Sequence, residues 1–257
     1  MKLKHRITGP EDGLPVILVH GLFGQGRNLG ALARRIAKDR PVVTVDLRNH
    51  GESPHSEEHD YPAMAADLAE LIRDLGGRAD VAGHSMGGKT AMVLALTHPE
   101  LLRRLVVMDI APLAYSHSQS HLIDAMQSLD LSTIERRSQA DAALRELIPE
   151  AGIRAFLLQS LEIKPGQSKW RLNLPVLKER MSALVGWPSD LPRNSFHGPV
   201  MALAGAESDY VLAEGQAALR EYFPQVRIVT LKNAGHWLHA DTPEAVANSL
   251  DAFLNAQ

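Results

Sequence analysis

The stretch Gly83-His84-Ser85-Met86-Gly87-Gly88 decides how the rest of this chain is read. An apolar run, Ala79-Asp80-Val81-Ala82, leads into it, and a helical pattern from Met86 to Thr97, closed by Pro99, leads out. Glycines on both sides of a serine let the backbone turn sharply from strand to helix and lift the hydroxyl out of the core. A bare Gly-x-Ser-x-Gly arises by chance in about one chain of this length in ten, so the strand before it and the helix after it carry the weight. The stretch reads as a nucleophile elbow, with Ser85 as the candidate nucleophile.

Working outward, apolar runs alternate with amphipathic helical patterns. Pro15-Val16-Ile17-Leu18-Val19 ends at His20-Gly21, and Pro41-Val42-Val43-Thr44-Val45 ends at Asp46. Both read as strands buried on two faces. Met64, Leu68, Leu71, Ile72 and Leu75 follow helical spacing between Pro62 and Gly76-Gly77. Later strand-like runs are Arg104 to Met108 before Asp109, Pro199 to Ala204 before Gly205, and Val226 to Leu231. A last helix begins near Thr242-Pro243-Glu244 and carries Val246, Leu250, Phe253 and Leu254. The alternation predicts an α/β fold with a mostly parallel central sheet flanked by helices.

The alternation breaks between Ala111 and Pro192, where helix-like segments follow one another without a strand. This predicts a core of residues 1–111 and 193–257 with a helical cap inserted at 112–192. A lid of this kind above the elbow makes an apolar cavity suited to an acyl chain. Phe23, Leu157, Leu161, Trp187 and Trp237 are the expected pocket residues.

Composition excludes several other classes. At 257 residues and 45% hydrophobic the chain can bury a large core. Its net charge of -3 comes from 27 basic and 30 acidic residues with no block of one sign, so nucleic acid is not an expected partner. Without cysteine there is no disulfide, thiol nucleophile or thiolate metal site. The N-terminal residues Met1 to Arg6 run into Ile7-Thr8-Gly9-Pro10 with no apolar stretch of signal length, and no membrane span is visible. A cytoplasmic protein is expected, with no metal and no organic cofactor.

A serine hydroxyl needs a base to remove its proton. Twelve histidines compete. His236, in Asn233-Ala234-Gly235-His236-Trp237 after the last strand-like run, has the position expected of the base, ahead of His239. His84 flanks the serine but points away from it in a tight turn, and His20 reads as a residue that orders its loop. His55, His59, His98, His117 and His121 read as solvated or packing residues. For the carboxylate that orients the base, two positions are open: Asp109, and the loop Gly205-Ala206-Glu207-Ser208-Asp209. The second is the more usual place, yet Ser208 stands three residues after the glycine, where the acid is expected. Oxyanion donors are expected from the amides of Met86 and Leu22, the latter in His20-Gly21-Leu22-Phe23-Gly24.

Taken with Asp46-Leu47-Arg48-Asn49-His50-Gly51-Glu52-Ser53-Pro54, Asp109-Ile110-Ala111-Pro112, Trp170-Arg171-Leu172-Asn173-Leu174 and Val185-Gly186-Trp187, these motifs resemble the α/β-hydrolase superfamily over nearly the whole chain. Within it they are similar to the YbfF-like bacterial esterases and abhydrolase domain-containing protein eleven. Most superfamily members carry glycine where Asn49 stands. The resemblance implies that Asp109 is the acid; Asp209 departs from the family pattern, standing where close relatives need not have an acid, and leaves a backup role open. It also implies hydrolysis of a small-molecule carboxylic ester or acyl thioester, acyl-coenzyme A included, through an acyl-enzyme on Ser85. Two other readings stand beside this one. A lyase or C–C hydrolase acting on an acidic substrate calls for arginines facing the pocket, with Arg48, Arg154 and Arg171 as candidates, and a non-catalytic binder of the same fold has no use for Ser85, Asp109 and His236 together.

Overall fold

The computed structural model describes residues 1–164 and 166–256. Among these residues nine strands form: β1 (His5–Thr8), β2 (Val16–Val19), β3 (Val42–Val45), β4 (Ala79–His84), β5 (Leu102–Met108), β6 (Leu161–Glu162), β7 (Lys169–Trp170), β8 (Val200–Gly205) and β9 (Arg227–Leu231). The helices are α1 (Gly30–Ile36), α2 (Tyr61–Asp74), α3 (Met86–Thr97), α4 (Ser120–Gln127), α5 (Arg137–Leu144), α6 (Ala151–Leu157), α7 (Leu174–Glu179), α8 (Met181–Val185), α9 (Ala213–Tyr222), α10 (Leu238–Asp241) and α11 (Pro243–Asn255). The main sheet has seven strands in the order β1-β3-β2-β4-β5-β8-β9. All its pairs are parallel except β1 with β3.

The continuous apolar runs follow from burial on both faces. Ile17, Val19, Val81, Leu105 and Val107 face one core with Leu68, Ile72 and Met92 of α2 and α3. Val16, Leu18, Val106, Met108 and Leu203 face a second core with Leu32 and Ile36 of α1 and Leu250 and Phe253 of α11. Helix α2 starts where the Asp60 carboxylate accepts from the Ala63 amide at 2.8 Å, and Pro62 sits in its first turn.

All six strand-like runs of the sequence become strands of this sheet, while one strand was not anticipated and one expectation needs correction. β1, with the polar sequence His5-Arg6-Ile7-Thr8, is largely exposed at the sheet edge and carries no apolar signal. The segment between β5 and β8 also holds a short antiparallel hairpin, β6–β7, besides α4 to α8. Its two-residue strands are too short to show alternation.

Several polar joints fasten this inserted segment to the rest, three of them as follows. Asn49 has φ 64°, the left-handed region where glycine is easiest, and its Oδ1 accepts from the Ser56 amide at 2.8 Å and from Asn173 Nδ2 at 2.9 Å. The Asn49 carbonyl accepts from the Asn173 amide at 3.0 Å, and the Gly51 amide donates to the Arg171 carbonyl at 2.8 Å. Ser160 Oγ donates to the Phe23 carbonyl at 2.9 Å. On α3, Lys89 Nζ donates to the carbonyls of Val185 at 3.1 Å and Gly186 at 2.6 Å, at the end of α8, and lies over the Tyr61 and Tyr115 rings. Burial holds the Lys89 amine down to about 7.

Asn49→Gly keeps the permitted backbone but strips three side-chain hydrogen bonds, those to Ser56 and Asn173 and the one from Asn49 Nδ2 to His59 Nδ1 at 3.3 Å, so urea unfolding is expected to show a loss of about 1–3 kcal/mol. Asn49→Ala adds the left-handed strain and should lose about 1–2 kcal/mol more. Equal stability of the glycine variant and the parent contradicts this account of the joint. For Lys89, the unfolded chain keeps its proton between pH 7 and about 10.5 while the folded chain has shed it. Stability therefore rises with pH across that window. Urea titrations from pH 7 to 10 should give a flatter stability profile for Lys89→Met than for the parent, and identical slopes contradict the assignment.

Candidate active site

Residues at the carboxyl ends of β4 and β5, with one from the loop after β9, meet at a single point. Gly83 and Gly87 are required by close backbone approach: a Cβ on Gly83 would lie 2.2 Å from the Gly87 carbonyl oxygen, and one on Gly87 would lie 2.5 Å from those of Val19 and His20. Between them Ser85 takes φ 53° and ψ -119°, and its amide donates to the Met108 carbonyl at 3.0 Å, extending the β4–β5 ladder by one residue. This strained turn lifts the side chain above the sheet.

Asp109 occupies the matching place on β5, fully buried, with its amide bonded to the Leu203 carbonyl at 2.7 Å. Its Oδ1 accepts from the Gly205 amide at 2.8 Å, and its Oδ2 accepts from the Ser208 hydroxyl. The loop of His236 is tied to the loop after β8 through the Glu207 amide, which donates to the Ala234 carbonyl at 2.9 Å. His236 Nδ1 lies 2.8 Å from Asp109 Oδ2, and its Nε2 lies 3.0 Å from Ser85 Oγ. An imidazole held between a buried carboxylate and a serine hydroxyl is arranged to take the hydroxyl proton and keep the resulting charge. Asp209 and Glu207 are both exposed, and among the described residues neither bonds to His236.

The other histidines have structural places. His84 is buried and its Nε2–H donates to the His236 carbonyl at 2.8 Å. Burial, with His239 and His236 nearby, pushes it well below the usual imidazole range, so it stands neutral beside the site. His20 is buried between the Gly21 carbonyl, 2.8 Å from Nδ1, and the Leu47 amide, 3.0 Å from Nε2. It orders the loop after β2, as its position suggested. His59 is buried and pushed down to about 3 by desolvation and then by Arg48, a packing residue. His239 lies in α10, and desolvation lowers it to about 4. His117 is exposed but bonds to the Tyr210 hydroxyl at 2.8 Å.

Above Ser85 opens a cavity of about 240 Å³. Leu22 and Met86 line it beside Ser85. Met86 opens α3, where amides lack partners within the helix, and among the described residues no backbone carbonyl takes either amide. Phe23, Leu157 and Trp237 line the cavity, Trp237 against Phe156 at 5.9 Å between ring centres. Leu161 and Trp187 lie outside this lining. Leu161 is buried in β6, and Trp187 packs edge-on against Tyr222 at 5.5 Å. The three arginines also point elsewhere: Arg48 pairs with Asp67 at 2.6 Å, Arg154 with Asp141 at 2.8 Å, and Arg171 with Glu52 at 2.8 Å. Lys89 is a titratable wall residue that the sequence reading missed, along with Tyr210. No periodicity signals either one, because each acts through the direction of its side chain. Among the described residues no cluster of three or more histidine or acidic side chains is placed to hold a metal ion, and no helix is long and apolar enough to cross a membrane.

Comparison with known proteins gives the family. The family profile for the alpha/beta hydrolase fold matches residues 15–243. The chain is 40% identical over 265 aligned positions to the mouse (Mus musculus) protein named sn-1-specific diacylglycerol lipase ABHD11, covering 99% of this chain and 85% of the relative. It is 38% identical to Esterase YbfF of Escherichia coli, covering 94% of this chain and 93% of that one. Among solved structures, one described as a marine microorganism esterase superposes with a TM-score of 0.93 at 33% identity, covering 98% of this chain and 99% of the other. The chain belongs to the α/β-hydrolase family, with the YbfF and ABHD11 proteins among its relatives.

Proposed function

We propose that this protein is a serine carboxylesterase that cleaves small-molecule esters or acyl thioesters through an acyl-enzyme on Ser85. The observation that carries the reading is the chain of contacts Ser85 Oγ to His236 Nε2 at 3.0 Å and His236 Nδ1 to Asp109 Oδ2 at 2.8 Å. Ser85 attacks the carbonyl carbon as His236 takes its proton, and the amides of Leu22 and Met86 receive the oxyanion. The imidazolium returns the proton to the departing alkoxide or thiolate, and Asp109 stabilises its charge meanwhile. Water, activated by the same imidazole, then releases the acid and frees Ser85. Residues 112–192 act as a cap whose Ile153, Phe156, Leu157 and Met181 supply the apolar walls for the acyl chain. An ester with a lipid acyl group fits such walls, and the mouse relative is named for a diacylglycerol. The lyase reading loses its support because Arg48, Arg154 and Arg171 are engaged in ion pairs away from the cavity.

Hydrolysis of p-nitrophenyl esters and acyl-coenzyme A thioesters of graded chain length tests the reading. Ser85→Ala and His236→Ala should each lower turnover by about 10⁴- to 10⁶-fold. Asp109→Asn, which keeps the shape and tolerates the φ of 51° at this position, should cost about 10²- to 10⁴-fold, whereas Asp209→Asn should leave turnover within about two-fold. Equal turnover by Ser85→Ala and the parent removes the esterase reading. Near-normal turnover by Asp109→Asn transfers the acid's role to another carboxylate.

A further inference from the structure

The ring of Tyr210 lies flat on the ring of His236, with centroids 3.9 Å apart and planes 17° from parallel. Every polar point of Tyr210 is tied down. Its amide donates to Ser208 Oγ at 3.3 Å, its carbonyl accepts from the Tyr115 hydroxyl at 2.7 Å, and its own hydroxyl meets His117 Nε2 at 2.8 Å. The Tyr115 and His117 rings pack around it at 5.1 and 5.0 Å. On another side His236 meets the His84 ring at 4.8 Å, and the carbonyl of His236 is held by His84. The charged and titratable groups facing His236 are therefore Asp109 at the end of β5, His84 at the end of β4 and the Tyr210 phenol after β8. Through His84, which it meets at 4.7 Å, His239 of α10 completes the set.

We propose that Tyr210 is a positioning residue for the base, holding the His236 imidazole in the line between Asp109 and Ser85 and stabilising its charged form with the face of the phenol ring. The inference rests on His236 being the base of the proposed reaction. Two physical effects combine in it. A flat, immobile neighbour removes the ring rotations that would break one of the two hydrogen bonds. The aromatic face also carries partial negative charge, which attracts a cation close above it. The neutral, desolvated His84 nearby adds no opposing charge. Ground-state substrate makes no use of the imidazolium, so the effect belongs to turnover rather than to binding.

The experiment compares Tyr210→Phe, Tyr210→Leu and His236→Asn with the parent on one p-nitrophenyl ester, reading kcat and KM separately across pH. Tyr210→Phe keeps the aromatic face and should stay within about three-fold of the parent. Tyr210→Leu should lower kcat by about 3- to 30-fold with KM changed less than about two-fold, the range of a cation–aromatic contact. In that variant the acid limb of the kcat/KM profile should move to lower pH by about half a unit or more, because less stabilisation of the charged ring means that it deprotonates earlier. Thermal unfolding of both variants separates loss of fold from loss of positioning, and in a marginally stable Tyr210→Leu the Tyr210→Phe to Tyr210→Met comparison takes its place. A leucine or methionine variant with parental kcat and an unmoved acid limb overturns the inference, as does a phenylalanine variant as slow as the leucine one. An active His236→Asn instead overturns the underlying reading of the base.

Discussion

One imidazole, bonded to Asp109 on one side and Ser85 on the other, is the contact on which the structure's chemistry depends. Each partner arrives from a different element, so the geometry is a property of the sheet rather than of any local motif. β4 and β5 are neighbours and parallel, which puts Ser85 and Asp109 side by side at their carboxyl ends. β9 is two places further along, and its following loop must reach back across β8. It does so because Gly205 lets the Ala234 and Gly235 carbonyls pass close: a Cβ there would come within 2.5 Å of both. The Glu207–Ala234 bond then fixes the two loops together.

The inserted segment is coupled to this constellation through polar joints, not through apolar packing alone. Asn49 and Asn173 bond each other through both side chain and backbone. Lys89, one helical turn after Ser85, grips the end of α8 with an amine that has no carboxylate partner among the described residues. A buried amine of this kind is costly to keep charged, and the two carbonyls and two aromatic rings around it offset part of that cost. The same helix α3 thus presents the nucleophile and anchors the wall of the cavity above it. Moving one without the other is difficult by construction.

The legible and illegible parts of this protein divide along physical lines. The elbow could be read because glycines at close approaches fix it after a strand run, and the loop of His236 because it follows the last strand run directly. The Arg48-Asn49-His50-Gly51 and Trp170-Arg171-Leu172-Asn173-Leu174 motifs were visible separately, but their pairing was not. The acid stayed open on the residues alone because strand order decides it, and strand order is not written in periodicity. Ser208 marked the usual acid position as lacking a carboxylate, yet its hydroxyl reaches the same point and bonds to Asp109. Leu161 and Trp187 were misplaced because apolar spacing says that a residue is buried and not which space it faces. β1 escaped because an exposed edge strand with His5 and Arg6 has no apolar face to betray it.

Mass spectrometry after treatment with a fluorophosphonate, which phosphonylates only a serine whose proton is withdrawn, tests the central contact most directly. The account predicts one adduct per chain, located on Ser85, formed rapidly by the parent and slowed by about 10³-fold or more in folded His236→Asn. Rapid labelling of another residue, or undiminished labelling of Ser85 without the imidazole, contradicts it.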